Sequence, residues 1–122
     1  MNMTQRINQL LKLEELGQFL LSIMLFNQLE YAWWLFPACL LLPDLSMIGY
    51  LKSPKIGAYC YNLLHHKLVA IITLILGFAL NIPVLTLIGL ILFGHSAMDR
   101  MLGYGLKYQD DFKHTHLGWI GK

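Results

Sequence analysis

Long, nearly charge-free apolar runs separated by very short polar breaks leave this chain few options. A helix needs about 20 predominantly apolar residues to cross the roughly 30 Å hydrocarbon core of a bilayer. Segments of that kind at about 13–29, 31–51, 61–80 and 82–102 nearly exhaust the 122 residues and leave room for one domain. Hydrophobic residues make up 57% and charged residues 13%, about half the charge of an ordinary soluble domain. The predicted fold class is therefore all-α: a four-helix transmembrane bundle with a polar tail, 103–122, lying at the membrane interface.

The breaks set the direction of the chain. Asn27 to Glu30 reads as a tight turn, Lys52-Ser-Pro-Lys55-Ile-Gly57 as a polar break, and Asn81-Ile82-Pro83 as a minimal hairpin whose proline opens the next helix. Links this short force neighbouring helices antiparallel. Arg6 and Lys12 precede the first run, Lys52 and Lys55 lie in the middle break, and Arg100, Lys107 and Lys113 fall at or beyond the end of the fourth. The other two turns carry no Lys or Arg, so the positive-inside rule places both termini and the middle loop in the cytoplasm. Tyr31, Trp33 and Trp34 at one end, and Tyr50, Tyr59, Tyr61, Tyr104, Tyr108 and Trp119 at the other, match the two aromatic belts of such a bundle.

A cleavable signal peptide is not expected, because Glu14 and Glu15 interrupt the first apolar run. A net charge of +2 spread thinly argues against a nucleic-acid surface. Cys39 and Cys60 lack metal or redox spacing and read as free thiols.

On this topology the rare ionisable residues collect in one layer. Glu14, Asp44, His65, His95 and Asp99 all fall within roughly 10 Å of the cytoplasmic boundary at about 1.5 Å of rise per residue. An intramembrane carboxylate is costly without a partner or a cavity, which makes each a functional-site candidate. Pro43 should bend the second helix and open a polar notch beside Asp44. His95 and Asp99, spaced i, i+4, share a helix face, as do Tyr61 and His65. Histidine with Asp or Glu from facing helices is the donor set of zinc, manganese or iron in helix bundles. The same residues admit a structural account, with His95 donating to Asp99 and Asp44 serving as a counter-ion for Arg100 or Lys67. Of the neighbouring acids, Glu14 is expected to face the pocket and Glu15 the headgroups. Lys67 is expected to reach the headgroups too, and His116 to be an exposed interfacial residue.

Five ordered motifs add a resemblance: Pro43-Asp-Leu-Ser-Met-Ile-Gly-Tyr50, Tyr61-Asn-Leu-Leu-His65, His95-Ser-Ala-Met-Asp-Arg100, Gly103-Tyr-Gly-Leu-Lys-Tyr108 and Thr115-His-Leu-Gly118. The chain resembles, over nearly its whole length, a family of small bacterial membrane proteins known only as a domain of unknown function. That resemblance implies an inner-membrane protein with a site built from Glu14, Asp44, His65, His95, Asp99 and Arg100, and it implies no activity. The helical HxxxD motif is also similar to that of inner-membrane metal-dependent hydrolases, although the histidine-rich segment of that group is missing.

The first functional expectation is a metal-dependent hydrolase acting on a lipid ester or phosphoester from the cytoplasmic leaflet, with membrane lipid as its surroundings and an amphiphile as its substrate. His65, His95 and Asp99, with Asp44 or Glu14, would hold zinc, manganese or iron. Glu14 would act as general base, while Arg100 and Lys107, with Tyr61 beside them, would hold the anionic group. Two alternatives come from different classes. One is a haem-binding protein using His65 and His95 as axial ligands, or an iron-dependent redox protein. The other is a proton-linked carrier or channel subunit, for which the outer half offers only Ser22, Thr73 and Thr86.

Overall fold

The computed structural model describes residues 1–121, and they are overwhelmingly helical. Helix α1 (Met3–Phe26) begins well before the expected position because Asn2 and Gln5 form a reciprocal capping box, each side chain accepting from the other's backbone N–H at 2.9 Å. Its N-terminal turns carry Arg6, Lys12, Glu14 and Glu15, so most of α1's polar residues lie before its apolar half.

The stretch expected as one second helix is broken. A short α2 (Leu35–Cys39) gives way to a ten-residue 3-10 helix, Leu42–Leu51. Pro43 has no N–H for the carbonyl of Cys39, and Asp44 N donates to Leu41 O at 3.1 Å in the tighter pattern. The third apolar stretch is also divided, into α3 (Pro54–His65) and α4 (Lys67–Ala79), bent by 45°. Ser53 and Pro54, expected as part of a loop, instead start α3: Ser53 Oγ accepts from Ile56 N at 3.1 Å and Pro54 takes the first turn. The bend falls at His66, whose extended backbone interrupts the helix and whose ring Nδ1 accepts from Leu68 N at 3.2 Å as a cap for α4.

Helix α4 ends in a Schellman turn. Ile82 N donates to Gly77 O at 2.9 Å and Asn81 adopts the left-handed conformation (φ 52°). Pro83 then opens α5 (Pro83–Leu102). The two helices run back antiparallel at very close range. A Cβ placed on Gly89 would lie 2.6 Å from Leu74 N, and one on Gly77 would lie 2.4 Å from Thr86 N.

Helix α5 is the axis of the molecule, packed against α4 on one side and α1 on the other. Ser22 of α1 sits against Gly94, and Phe26 and Phe36 close around Leu90 and Ile91 as the apolar core. Of the described residues, α5 alone is long and apolar enough by itself to cross a membrane, and the bent pair α3–α4 passes the same test only when taken as one span. The expectation of four continuous spans is therefore corrected: Pro43 and the His66 bend interrupt the middle two, and α1 carries too much charge.

The tail is folded rather than draped. Strands β1 (His114–Thr115) and β2 (Gly118–Trp119) pair antiparallel, and Lys107 bridges to Thr115. Asn62 of α3 grips this tail with its amide: Nδ2 donates to Lys107 O at 2.8 Å and Lys107 N donates to Oδ1 at 2.7 Å.

Candidate metal centre

Asp44, His65, His95 and Asp99 meet at one point, with one donor atom from each lying within 4.8 Å of all the others. Three separate elements deliver them. The 3-10 helix presents Asp44, the last residue of α3 presents His65, and the final turns of α5 present His95 and Asp99.

Each imidazole is fixed through its Nδ1. His65 Nδ1–H donates to Tyr61 O at 2.7 Å, and His95 Nδ1–H donates to Leu40 O at 2.7 Å. A carbonyl oxygen can only accept, so both Nδ1 atoms carry protons, and each ring in its neutral form presents a bare Nε2 lone pair. Leu40 O is available because the switch to 3-10 pairing turns Asp44 N to Leu41 instead. The end of α3 similarly frees His65 O, which accepts from Ser96 Oγ at 3.0 Å and from Arg100 Nη2 at 3.1 Å. Ser96 and Arg100 are spaced i, i+4 on α5, so one helix face clamps the backbone of a cluster residue.

The lone pairs converge closely. The two Nε2 atoms are 3.0 Å apart, and Asp44 Oδ1 is 3.1 Å from His65 and 3.0 Å from His95. Asp99 Oδ2 is 3.5 Å from His65 and 3.3 Å from His95. Metal bonds of about 2.0–2.1 Å in a tetrahedron put ligand atoms about 3.3–3.4 Å apart, in the middle of this range. With both imidazoles neutral the group would carry two negative charges in a largely dry setting, which a divalent cation would offset. These residues could hold a metal ion.

The outer contacts fix the group further. Tyr61 is buried, stacks on His65 with centroids 3.7 Å apart, and donates its hydroxyl to Asp99 Oδ2 at 3.0 Å. Both histidine side chains are fully buried and Asp99 is 9% exposed, whereas Asp44 is 35% exposed, so Asp44 marks the open side.

The family comparison can now be set beside this geometry. The description Domain of unknown function (DUF4260) matches residues 8–120. The chain belongs to the DUF4260 family. No curated protein and no solved structure matches it. All the ligand candidates of this DUF4260 chain lie inside the matched range.

The structure distributes the other expected site residues differently. Glu14 is exposed and stays outside the cluster; its neighbour Glu15 pairs with Lys67, which also donates to Gln18 at 2.7 Å. Lys67 thus binds an acid of α1 instead of extending to headgroups, and Asp44 binds the histidines instead of Arg100 or Lys67. Tyr61 touches Asp99 and not an open cleft. Arg100 and Lys107 are not aimed at one point: the guanidinium holds the carbonyls of His65 and Tyr104, while Lys107 Nζ lies 3.9 Å above the Phe112 ring and 4.9 Å from that of Tyr61. Burial pushes the Lys107 pKa down, and Asp99 and Asp44 push it back up.

Sequence reasoning missed Ser96 and Asn62. Both stand within the recognised motifs, beside His95 and Tyr61, but nothing in helical spacing announces a partner on a distant backbone.

Proposed function

We propose that this chain is a membrane-embedded protein that binds one divalent metal ion of zinc type through His65, His95, Asp99 and Asp44, and that it uses the ion to hydrolyse an ester or phosphoester of an amphiphilic substrate. One observation carries the metal: four acceptor atoms face one another with both Nδ1 protons already committed to backbone carbonyls. Without a cation, such a cluster leaves buried lone pairs in mutual repulsion. Two imidazoles and two carboxylates suit zinc or iron, and magnesium and calcium take all-oxygen shells with more ligands.

Support for the membrane setting comes from the apolar surface of the 3-10 helix and α4, where Leu45, Ile48, Leu51, Ile72, Ile75 and Phe78 are exposed. The concentration of lysine and arginine at the cluster end supports an orientation with that end at the cytoplasm, in a bacterial inner membrane.

The hydrolytic part rests on the asymmetry of the ligands. Asp44 alone is substantially open, so it is the ligand that can yield its place to water and serve as general base. This role replaces the one expected of Glu14. A bound zinc-type ion lowers the pKa of water to near neutrality and polarises an ester or phosphoryl oxygen.

The alternatives draw less support. A bis-histidine haem needs a porphyrin disc between its two imidazoles, yet here the Nε2 atoms are 3.0 Å apart and both carboxylates crowd the same point. For a carrier, the hydroxyls of Ser22, Thr73 and Thr86 would have to build an outer polar path, but each donates to a carbonyl of its own helix.

Metal analysis of the purified, detergent-solubilised protein tests the first part. One ion per chain is expected in wild type and a large loss in His95→Ala; no stoichiometric metal in wild type would sink the proposal. Turnover of short-chain ester and phosphoester probes tests the second. It should vanish in Asp44→Asn, and metal loading without turnover on any probe would retain the binding site while removing the hydrolase.

A further inference from the structure

On the other side of Arg100 from the cluster lies a groove of about 480 Å³ between the first turns of α1, the end of α5 and the tail. Its polar lining is Asn8, Lys12, Glu15, Arg100 and His116. Glu15 is the acid of the set, and Lys67 neutralises it from behind. Lys12 is exposed, and Arg100 uses two of its N–H donors on the carbonyls of Tyr104 and His65, leaving further donors for the groove. His116 Nδ1 accepts from Leu106 N at 2.8 Å, so the neutral ring carries its proton on Nε2 and offers it as a donor. Burial, with Arg100 as the next cause, pushes the His116 pKa down and favours that neutral form. Gly105 makes the arrangement possible, since a Cβ there would lie 2.6 Å from His116 Nδ1.

The groove thus gathers an ammonium, a guanidinium, an imidazole N–H and an amide, with its one carboxylate already paired. We propose that it binds a phosphate group, as a phosphomonoester or phosphodiester, through Arg100, Lys12 and His116. The planar, partly engaged guanidinium suits phosphate oxygens, and the flexible lysine adds a point charge. Lys107, the partner expected from the sequence, takes no part. Nothing in this proposal depends on a metal being bound. Two sources share the required chemistry, a lipid headgroup and a free phosphate compound.

Calorimetric titration of the full chain in neutral detergent micelles tests it, with inorganic phosphate in one arm and short-chain phosphatidic acid in the other. Saturable 1:1 binding of either probe is expected, weakened at high salt. Much tighter binding of phosphatidic acid would assign a headgroup, and equal binding a soluble phosphate. Lys12→Glu should weaken binding by about tenfold, as expected when one charge-assisted contact is lost and reversed. Lys55→Glu, the same charge change on α3, should leave binding unaltered. Failure of both probes to bind at millimolar concentration would overturn the proposal. So would equal weakening by Lys12→Glu and Lys55→Glu, which would indicate diffuse charge and no site. Metal content measured on the same samples keeps this outcome separate from that of the cluster.

Discussion

The chemistry of the cluster is decided by where two protons sit. With His65 Nδ1–H on Tyr61 O and His95 Nδ1–H on Leu40 O, both rings face inward as bases. Tyr61 donates to Asp99 and orients its carboxylate, so it would act on a bound metal through that ligand. Removing only the hydroxyl, Tyr61→Phe, is expected to lower metal affinity by about 10- to 100-fold with the helical content unchanged, as seen for outer partners of metal ligands. Competition with a chromogenic chelator measures this, and unaltered affinity would return Tyr61 to the substrate-binding role expected from the sequence. A second residue-scale expectation concerns pH. His116 has a depressed pKa in the folded chain, so below its ordinary value near 6.5 the unfolded tail binds more protons than the folded one. Tail stability should be fully present above that pH and fall as pH drops below it, because a protonated Nδ1 cannot accept from Leu106 N–H. Hydrogen exchange at the Leu106 amide, corrected for its intrinsic pH dependence, should lose protection over that window in wild type and show no such step in His116→Asn. Much of the site was legible in the sequence at this scale. Common depth and i, i+4 spacing singled out Asp44, His65, His95 and Asp99. Glu14 was misplaced because one residue of helix is about 100° of rotation, and periodicity near a charged helix start does not say which of two adjacent acids turns inward.

Helix interruptions position these residues, and they differ in how plainly the sequence announces them. Pro43 declares its own break, and Asn81-Ile82-Pro83 declares the hairpin. The bend at His66 has no proline or glycine behind it and rests on a ring nitrogen capping α4, so composition conceals it. The capping box at Asn2 and the Ser53-Pro54 start were readable from local chemistry, but long apolar runs draw attention away from short caps. The folded tail was hidden for another reason: the Lys107 backbone that anchors it bonds to Asn62, far away in sequence. Glycine gives a test at this scale, because two helix-interior glycines have opposite surroundings. Gly17 of α1 has nothing within 4 Å of a Cβ, so Gly17→Ala should raise stability by about 1 kcal/mol through helix propensity. Gly89 lies against the backbone of Leu74, so Gly89→Ala must push α4 from α5 and should cost about 1–3 kcal/mol. Thermal melts in one detergent compare the two, and a stable Gly89→Ala would mean that the hairpin packs more loosely than the structure has it.

Over the molecule as a whole, too little polar surface exists to cover the apolar surface. Trp33 in the link before α2 is 77% exposed, and Leu51 and Ile48 are 86% and 71% exposed on the 3-10 helix, which packs on α3 with one face and leaves the other bare. Soluble monomers rarely expose contiguous apolar patches beyond a few hundred Å². Two coverings could supply the missing contacts, lipid or further protein, and they part company under alkaline carbonate, which strips proteins held to membranes by other proteins or by charge. The broken middle helices fit a lipid covering, since irregular backbone at membrane depth is tolerated where it is buried in protein, and the Pro43 and His66 breaks both turn toward α5 and the cluster. The expected outcome is that the chain stays in the membrane pellet after carbonate at pH 11 and is released only by detergent. A paired variant, Ile48→Lys with Ile75→Lys, places charge on two elements of the bare surface and should reduce the pellet fraction sharply, because each lysine far from an interface costs about 2–4 kcal/mol in lipid. Release of the wild-type chain by carbonate would instead mean that protein covers these faces, and the cluster would then be a metal-site candidate in an assembly outside the bilayer.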